Sequence, residues 1–526
     1  MLSLTAVAGK KPNVIVIVAD DLGYSDLGCY GSEIQTPNLD SLAGNGLRFT
    51  SFYNTARCWP SRAAILTGYY AQQVRRDALP NVKSGTSGTR PAWARLLPDL
   101  LRPLGYRSYH SGKWHVDGQP LKNGFDHSYS LDDHDRYFNP EQHTLDDKPL
   151  PAVKPGSGYY SSTAIAEHAM EMLAGHQSGH RDQPFFLYLA FTAPHFPLQA
   201  LPEDLALYQG RYQLGWEVLR QERFKRMLDM GLVTGTLPPL DPTVWPEYNP
   251  SEAELREKIG PGEVGRAVSW DRLTDAQRQF QPLKMAIHAA MVHRMDREIG
   301  RVIAKLKADG TYDNTLIFFV SDNGASAEQI IRGDGNDRDA SPGSAKSFLG
   351  LGPGWAAAAN SPFRLYKSWT HEGGISTPLI VHWPSGIAAR GELRDNPGHL
   401  IDLAPTIIEL AGGQWPTTVG GQPVPPTPGK SLVPAFTKDG AVTHDFFWWL
   451  HDDNRAIRID DWKLVADHPK PWELYNLSQD RAETLNQAAA NPAKVNELEQ
   501  QWTRRFEEIR ATATQDLSPN KVDKTK

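Results

Sequence analysis

Four stretches of the chain carry unbroken apolar runs of strand length. Asn13 to Ala19 reads N-V-I-V-I-V-A and stops at Asp20-Asp21. Thr315 to Val320 reads T-L-I-F-F-V and stops at Ser321-Asp322-Asn323-Gly324. Pro184 to Phe191 (P-F-F-L-Y-L-A-F) runs out near Ala193-Pro194-His195, and a shorter run covers Pro378 to His382. Runs rich in β-branched and aromatic residues, without alternation, predict strands covered on both faces, as in a parallel sheet. Between them apolar positions recur with a helical period. The clearest case places Met291, Met295, Ile299, Val302 and Leu306 on one face. Strands alternating with helices predict an α/β fold, a large domain with a mixed, mostly parallel sheet sandwiched by helices.

Glu203 to Arg272 is polar and Trp-containing, and reads as helices and loops inserted over that sheet. Gly412 to Pro434 is dense in Gly and Pro and reads as a linker or wandering loop. Beyond it, Phe446–Leu450, Arg455–Ile459 and Trp462–Val465 predict a small antiparallel sheet, followed by a helix from about Pro492 to Ile509 and a frayed tail from Ala511. The expected division is a catalytic α/β domain over residues 10–435 and a small α+β subdomain over 436–526. There is no internal repeat.

In sheets of this kind ligands bind outside the carboxyl ends of the strands. Three of the four apolar runs end in Asp, Asn or His. Asp20-Asp21 alone reads as a turn or helix cap. Repeated as Asp322-Asn323 on a second strand, the pattern offers four hard oxygen donors, which suit Ca²⁺, or less well Mg²⁺, better than zinc.

Other candidates are weaker one by one. Cys58 stands among Thr55, Arg57, Ser61 and Arg62, a polar and cationic setting that favours a thiolate or another reactive group over a plain core thiol. Lys113 and His115, two apart, share a face in an extended segment. His195 lies between prolines, and Lys367 lies shortly before a Gly-Gly pair. Each also reads as an ordinary structural or solvated residue. As a set they describe an anion site with acid–base groups.

Composition narrows the partners. A 526-residue chain with 40% hydrophobic and 22% charged residues, net charge −6 and pI near 6.3 lacks the basic face of a nucleic-acid binder. No apolar run approaches the ~20 residues of a membrane span. Met1 to Gly9, with Ala6-Val7-Ala8, reads either as the end of a trimmed signal peptide or as a plain disordered end. A periplasmic or secreted protein is the expectation, with a cytoplasmic one as the alternative. Two cysteines make no disulfide scaffold, and Cys29 reads as a buried small hydrophobe.

At this point the chain resembles a known family. C-W-P-S-R-A-A-I-L-T-G, Cys58 to Gly68, matches the first sulfatase signature, C-x-P-S-R-x-x-x-L-T-G, and G-Y-R-S-Y-H-S-G-K-W-H, Gly105 to His115, fits the second. The resemblance runs from V-I-V-A-D-D-L-G-Y-S-D to W-E-L-Y-N-L, with F-T-A-P-H-F-P-L-Q-A, G-R-Y-Q-L-G-W-E-V-L-R-Q-E-R and R-L-Y-K-S-W-T similar to the bacterial arylsulfatase branch of the alkaline phosphatase superfamily.

The resemblance implies hydrolysis of sulfate monoesters, aryl or carbohydrate. It implies that a maturation enzyme oxidises Cys58 to Cα-formylglycine, with Pro60, Ser61 and Arg62 in the segment it recognises. It further implies that Asp20, Asp21, Asp322, Asn323 and residue 58 hold Ca²⁺. Asp322 would activate the attacking hydroxyl of the hydrated aldehyde, and Arg62 would fix it. Lys113 and Lys367 would bind sulfate oxygens, His195 would protonate the leaving oxygen, and His115 would take the proton when sulfate departs. Trp59, bulky at a variable signature position, and His134, Asp135, Arg136, Trp355, Trp369 and His371 are candidates for the substrate pocket. A monomer or weak homodimer is expected. The alternatives are a formylglycine-dependent phosphonate monoester hydrolase or phosphodiesterase, and an inactive Ca²⁺-dependent binder of sulfated glycans.

Overall fold

The computed structural model describes residues 10–246 and 248–517. The expectations for Met1 to Gly9 and for the tail past 517 lie outside the described residues. Eleven strands form one sheet: β1 (Asn13–Ala19), β2 (Leu47–Tyr53), β3 (Arg107–Gly112), β4 (His127–Leu131), β5 (His143–Leu145), β6 (Lys148–Pro149), β7 (Phe185–Ala190), β8 (Thr315–Ser321), β9 (Ser376–His382), β10 (Glu392–Arg394) and β11 (Gly398–His399). Their order is β10-β2-β9-β8-β1-β7-β3-β4-β5-β6, with β11 also on β2.

From β8 through β1, β7, β3 and β4 every pairing is parallel. Val18 lies opposite Ala190 and Ala19 opposite Ser321, so β1, β7 and β8 finish level. Asp20 and Asp322, each the next residue, therefore emerge side by side. The fourth predicted strand, β9, runs antiparallel to both neighbours. Its amino end, not its carboxyl end, lies beside the carboxyl end of β8. The segment leading into it, which carries Lys367, thereby reaches the same edge as the carboxylates.

The alternation along β1 separates two cores. Ile15, Ile17 and Ala19 face one that contains the ridge Met291, Met295, Ile299, Val302 and Leu306 of the helix Asp275–Ala308. All five ridge residues are at most 2% exposed, each contributing ~1.5–3 kcal/mol of transfer free energy. Val14, Val16 and Val18 face the other core, against Ala64, Ile65 and Leu66 of the helix Cys58–Thr67.

The insertion over residues 203–272 adds helices at Gly215–Asp229 and Glu252–Lys258. It packs Trp216 against Trp270 and Trp355 at centroid separations of 4.8 and 5.4 Å. Trp355, considered for the pocket, is thus a core residue: it is fully buried and its indole N–H donates to the Gln281 carbonyl at 2.8 Å.

The Gly/Pro-rich stretch is not a free linker. It contains a hairpin of β12 (Thr418–Val419) and β13 (Gln422–Pro423) and folds onto the end of the helix Cys58–Thr67. There the Thr427 hydroxyl donates to the Gly68 carbonyl at 2.6 Å, and Gly68 adopts φ 72°. A Cβ at Gly68 would also meet the Trp415 ring at 2.7 Å, so glycine is required twice over.

The C-terminal sheet comprises β14 (Phe447–His451), β15 (Asn454–Ile459), β16 (Trp462–Ala466) and β17 (Glu473–Asn476), all antiparallel. β17 escapes pattern reading because E-L-Y-N is short and half polar. Trp448, Ile457 and Leu464 join the same core as Val14 and Val16. The last helix runs Pro492–Thr514, past the expected end at Ile509. The expected fraying at Ala511 does not occur, because Ala513 is fully buried in that core and Asp516 pairs with Arg75 at 2.9 Å. Among the described residues no helix is long and apolar enough to cross a membrane.

Candidate active site

Cys58 is the first residue of its helix, buried with only 3% exposure at the edge where β1 and β8 end. Ser61 joins this helix to β8, its hydroxyl donating to the Asp322 carbonyl. Arg62, one turn in and fully buried, donates from Nε to Asp322 Oδ2 at 2.9 Å and from Nη1 to the Lys113 carbonyl at 2.8 Å. Its Nη2 lies 2.8 Å from Asp322 Oδ2 and 3.6 Å from Asp20 Oδ2.

Lys113, just past the end of β3, donates to Asp20 Oδ2 at 2.6 Å. Lys367 stands between two carboxylates, 2.9 Å from Asp21 Oδ1 and 3.1 Å from Glu328 Oε2. Arg57 binds the other oxygen of Glu328 at 2.9 Å. His195 places Nε2 3.7 Å from Asp21 Oδ2 while its Nδ1 donates to the Phe196 carbonyl. Segments far apart in sequence thus place their charged ends around position 58.

The backbone here is unusual. Asp21, Ala56, His115, Leu365 and Ser368 all have φ between 53° and 80°. Each such non-glycine conformation costs ~1–2 kcal/mol, and such residues gather where function demands them.

The carboxylates do not behave alike. Burial raises Asp20, but Lys113 and Arg62 outweigh it and hold it below the ordinary range. Burial raises Asp21 despite Lys367. Burial and the neighbouring Asp20 push Asp322 up to about 7. Two oxygens, Asp20 Oδ1 and Asn323 Oδ1, are buried without a hydrogen-bond partner. Acceptor atoms of Asp20, Asp21 and His195 lie within 4.8 Å of one another. Excess buried carboxylate beside orphaned oxygens is a donor set that fits a hard divalent cation.

The cationic setting of Cys58 does not produce a thiolate. Burial pushes the thiol up, and Asp20 and Asp322 add to that, against Lys113 and Lys367. The sequence expectation of a thiolate fails because desolvation and the carboxylates outweigh the lysines. Cys29, as expected, is buried.

The histidines form a line: His115 to His134 at 5.9 Å between ring centroids, His134 to His195 at 5.1 Å. Burial first, and nearby lysine, hold all three well below the ordinary imidazole range. Trp59 lies 5.8 Å from the His115 ring and 5.3 Å from the Arg57 guanidinium. Trp369 lines a cavity that opens at Lys367.

Three candidates lie elsewhere. Arg136 is paired with Asp133 at 2.7 Å and Asp334 at 3.0 Å, and with Asp135 it lines a separate cavity. His371 is 1% exposed and turned to Glu473 at 3.4 Å, holding the lysine loop to β17.

Glu328 and the pair Asp77–His451 were not foreseen, since no local pattern marks them. His451 Nδ1 is 3.0 Å from Asp77 Oδ2, its Nε2 is 3.1 Å from Asp452, and its ring lies 5.5 Å from that of Trp59. Despite burial, the two carboxylates raise His451 to about 9. A raised base stabilises fully below its unfolded pKa, ~6.5, and loses that contribution as pH rises through about 9. The thermal unfolding midpoint should therefore fall more steeply between pH 7 and 10 in the wild type than in His451→Gln, with the stability gap at pH 7 on the order of 3 kcal/mol. Parallel curves would refute the ion pair.

A family model described as Sulfatase matches residues 12–413, most of the chain. This chain belongs to the sulfatase family. A second model, the C-terminal part of N-sulphoglucosamine sulphohydrolase, matches residues 363–512. An uncharacterized sulfatase of Schizosaccharomyces pombe is 35% identical, covering 94% of this chain and 93% of its own length. An arylsulfatase of Klebsiella aerogenes is 31% identical over 80% of this chain and 91% of its own. The solved structure of Ps i-CgsB in complex with k-i-k-neocarrahexaose is 25% identical with a TM-score of 0.65, covering 98% of this chain and 100% of that one. The sulfatase is a sulfuric ester hydrolase.

Proposed function

We propose that this sulfatase hydrolyses sulfate monoesters of phenols or sugars, using residue 58 as a formylglycine hydrate beside a bound Ca²⁺. The observation that carries this is the convergence of Cys58, the acidic strand ends, two lysines and two histidines on one edge, with Asp20 Oδ1 and Asn323 Oδ1 unpartnered. Asp20, Asp21, Asp322 and Asn323 would hold the cation, which supplies Lewis acidity at a sulfate oxygen. Oxidation of Cys58 by a formylglycine-generating enzyme supplies the nucleophilic oxygen.

The chain's own groups do the rest. Lys113 and Lys367, both close enough to act on residue 58, offer ammonium charge to sulfate oxygens. Arg62 holds Asp322 in place, and that carboxylate would accept the proton of the attacking hydroxyl. His195 spends Nδ1–H on the Phe196 carbonyl, which leaves Nε2 as its reactive nitrogen. Burial first, and then the two lysines, keep it neutral; the negative charge of a bound sulfate offsets the lysines, and His195, taking a proton from solvent, passes it to the leaving oxygen. His115 serves the return step, taking the proton when sulfate departs. Residues 10–435 would form the catalytic domain, and the C-terminal subdomain would complete the rim of the site through residues such as Asp452, Asp453 and Asp467.

Comparison of kcat/KM for an aryl sulfate and for the matching aryl phosphonate monoester tests the assignment. The sulfate should be preferred by at least about a hundredfold, or ~2.7 kcal/mol of transition-state binding. Preference for the phosphonate would transfer the enzyme to the phosphonate monoester hydrolases.

A further inference from the structure

A cavity of about 450 Å³ opens directly at the lysine end of the site, with Lys367 and Glu328 at its floor. That volume accommodates one ring and its substituents. Its walls come from three distant parts of the chain. The insertion supplies Trp245 and Tyr248, the lysine loop supplies Trp369, and the C-terminal sheet supplies Asp452, Asp453 and Asp467. The lining thus combines aromatic rings with carboxylates.

The cations at this wall are already engaged. Lys367 is held by Asp21 and Glu328, and Lys470 lies 2.9 Å from Asp467. Asp452 accepts from the Tyr248 hydroxyl at 2.6 Å and is kept ionised by His451. Asp453 is exposed and has no ion pair or side-chain hydrogen bond among the described residues. The two aspartates also form the two-residue turn between β14 and β15, with φ 46° at Asp452 and 63° at Asp453. Such a turn favours Asn-Gly. The Asp-Asp tip therefore holds a carboxylate over the cavity at a conformational cost that the turn itself does not require.

We propose that this cavity receives the leaving group, and that its carboxylate wall makes the enzyme select singly sulfated esters. The leaving group is a ring that is uncharged or carries an amine, and a second sulfate or a carboxylate on the same ring is disfavoured. The proposal rests on the sulfate ester reading above. A unit charge within ~8 Å of an unneutralised carboxylate in a partly solvated cleft changes binding by about tenfold, unfavourably for an anion and favourably for an ammonium. The aromatic side adds a stacking surface, and a face for that ammonium.

The test uses the full-length, matured enzyme on two series that differ only in charge. One series is phenyl sulfate, 3-(aminomethyl)phenyl sulfate and 3-carboxyphenyl sulfate. The other is N-acetylglucosamine 6-sulfate, glucosamine 6-sulfate and glucosamine 2-N,6-O-disulfate. In whichever series is turned over, kcat/KM should fall by about tenfold from the neutral or cationic member to the anionic one. Asp453→Asn, which an αL turn position tolerates, should raise the ratio of anionic to neutral kcat/KM several-fold. Adding Asp467→Asn should raise it further. Equal or better turnover of the anionic members by the wild type, or a ratio unmoved by Asp453→Asn, overturns the proposal. Turnover of neither series by protein whose residue 58 is oxidised would instead sink the hydrolase assignment beneath it.

Discussion

Cys58→Ala is expected to lower kcat for a sulfate ester by at least about 10⁴-fold, the scale seen when a catalytic nucleophile is removed. The fold should survive. Cys58 begins its helix, and the loss of one sulfur from a buried site costs ~1–2 kcal/mol against a core shared by the whole sheet. Its thiol is pushed up by burial and by Asp20 and Asp322, so the unmodified cysteine is not poised as a nucleophile. Cys58→Ser sharpens the test. A single hydroxyl can attack sulfur but has no second oxygen from which to expel sulfate. That variant should release at most one equivalent of alcohol or phenol and gain the mass of one sulfo group (SO₃), its own serine oxygen completing the sulfate ester. Burst kinetics and intact-mass spectrometry read both outcomes. Multiple turnovers by Cys58→Ala would end the assignment of residue 58.

Removal of divalent cations is expected to abolish turnover and to lower the unfolding midpoint. Asp20, Asp21 and Asp322 are all buried at one edge, and burial pushes Asp322 up to about 7. Asp20 Oδ1 and Asn323 Oδ1 have no other partner. A cation present at a hundred times its Kd stabilises by ~2.7 kcal/mol. Dialysis against a chelator should therefore lower the midpoint by several degrees, with Ca²⁺ restoring both stability and rate, and Mg²⁺ doing so less well because it holds its water more tightly. Asp322→Asn should reproduce the loss of rate and remove most of the Ca²⁺ response. A chelated protein that keeps full rate and midpoint would refute the cation site.

Much of this was legible in one-letter code, and for local reasons. The apolar runs of β1, β7 and β8, the ridge from Met291 to Leu306 and the short strands after residue 446 all record which faces meet a core. Period and length carry that information without any knowledge of what lies opposite. The signature around Cys58 and the polar residues that end the strands belong to the same class, because chemistry confined to a few adjacent positions survives in sequence.

What escaped depends on distance along the chain. β9 has the composition of a parallel strand, yet it runs the other way, and that reversal is what brings Lys367 to Asp21. Trp355 and His371 look like pocket residues by position, but partners from remote segments bury them. Glu328 and His451 have no motif, because their roles are set by Arg57, Lys367, Asp77 and Asp452, which approach only after folding. The thiol of Cys58 looked activated from its neighbours in sequence, whereas desolvation and carboxylates from β1 and β8 act more strongly. Residue order set the elements and the reactive types. Burial and charge, which sum over everything nearby in space, set their direction, pairing and proton affinity.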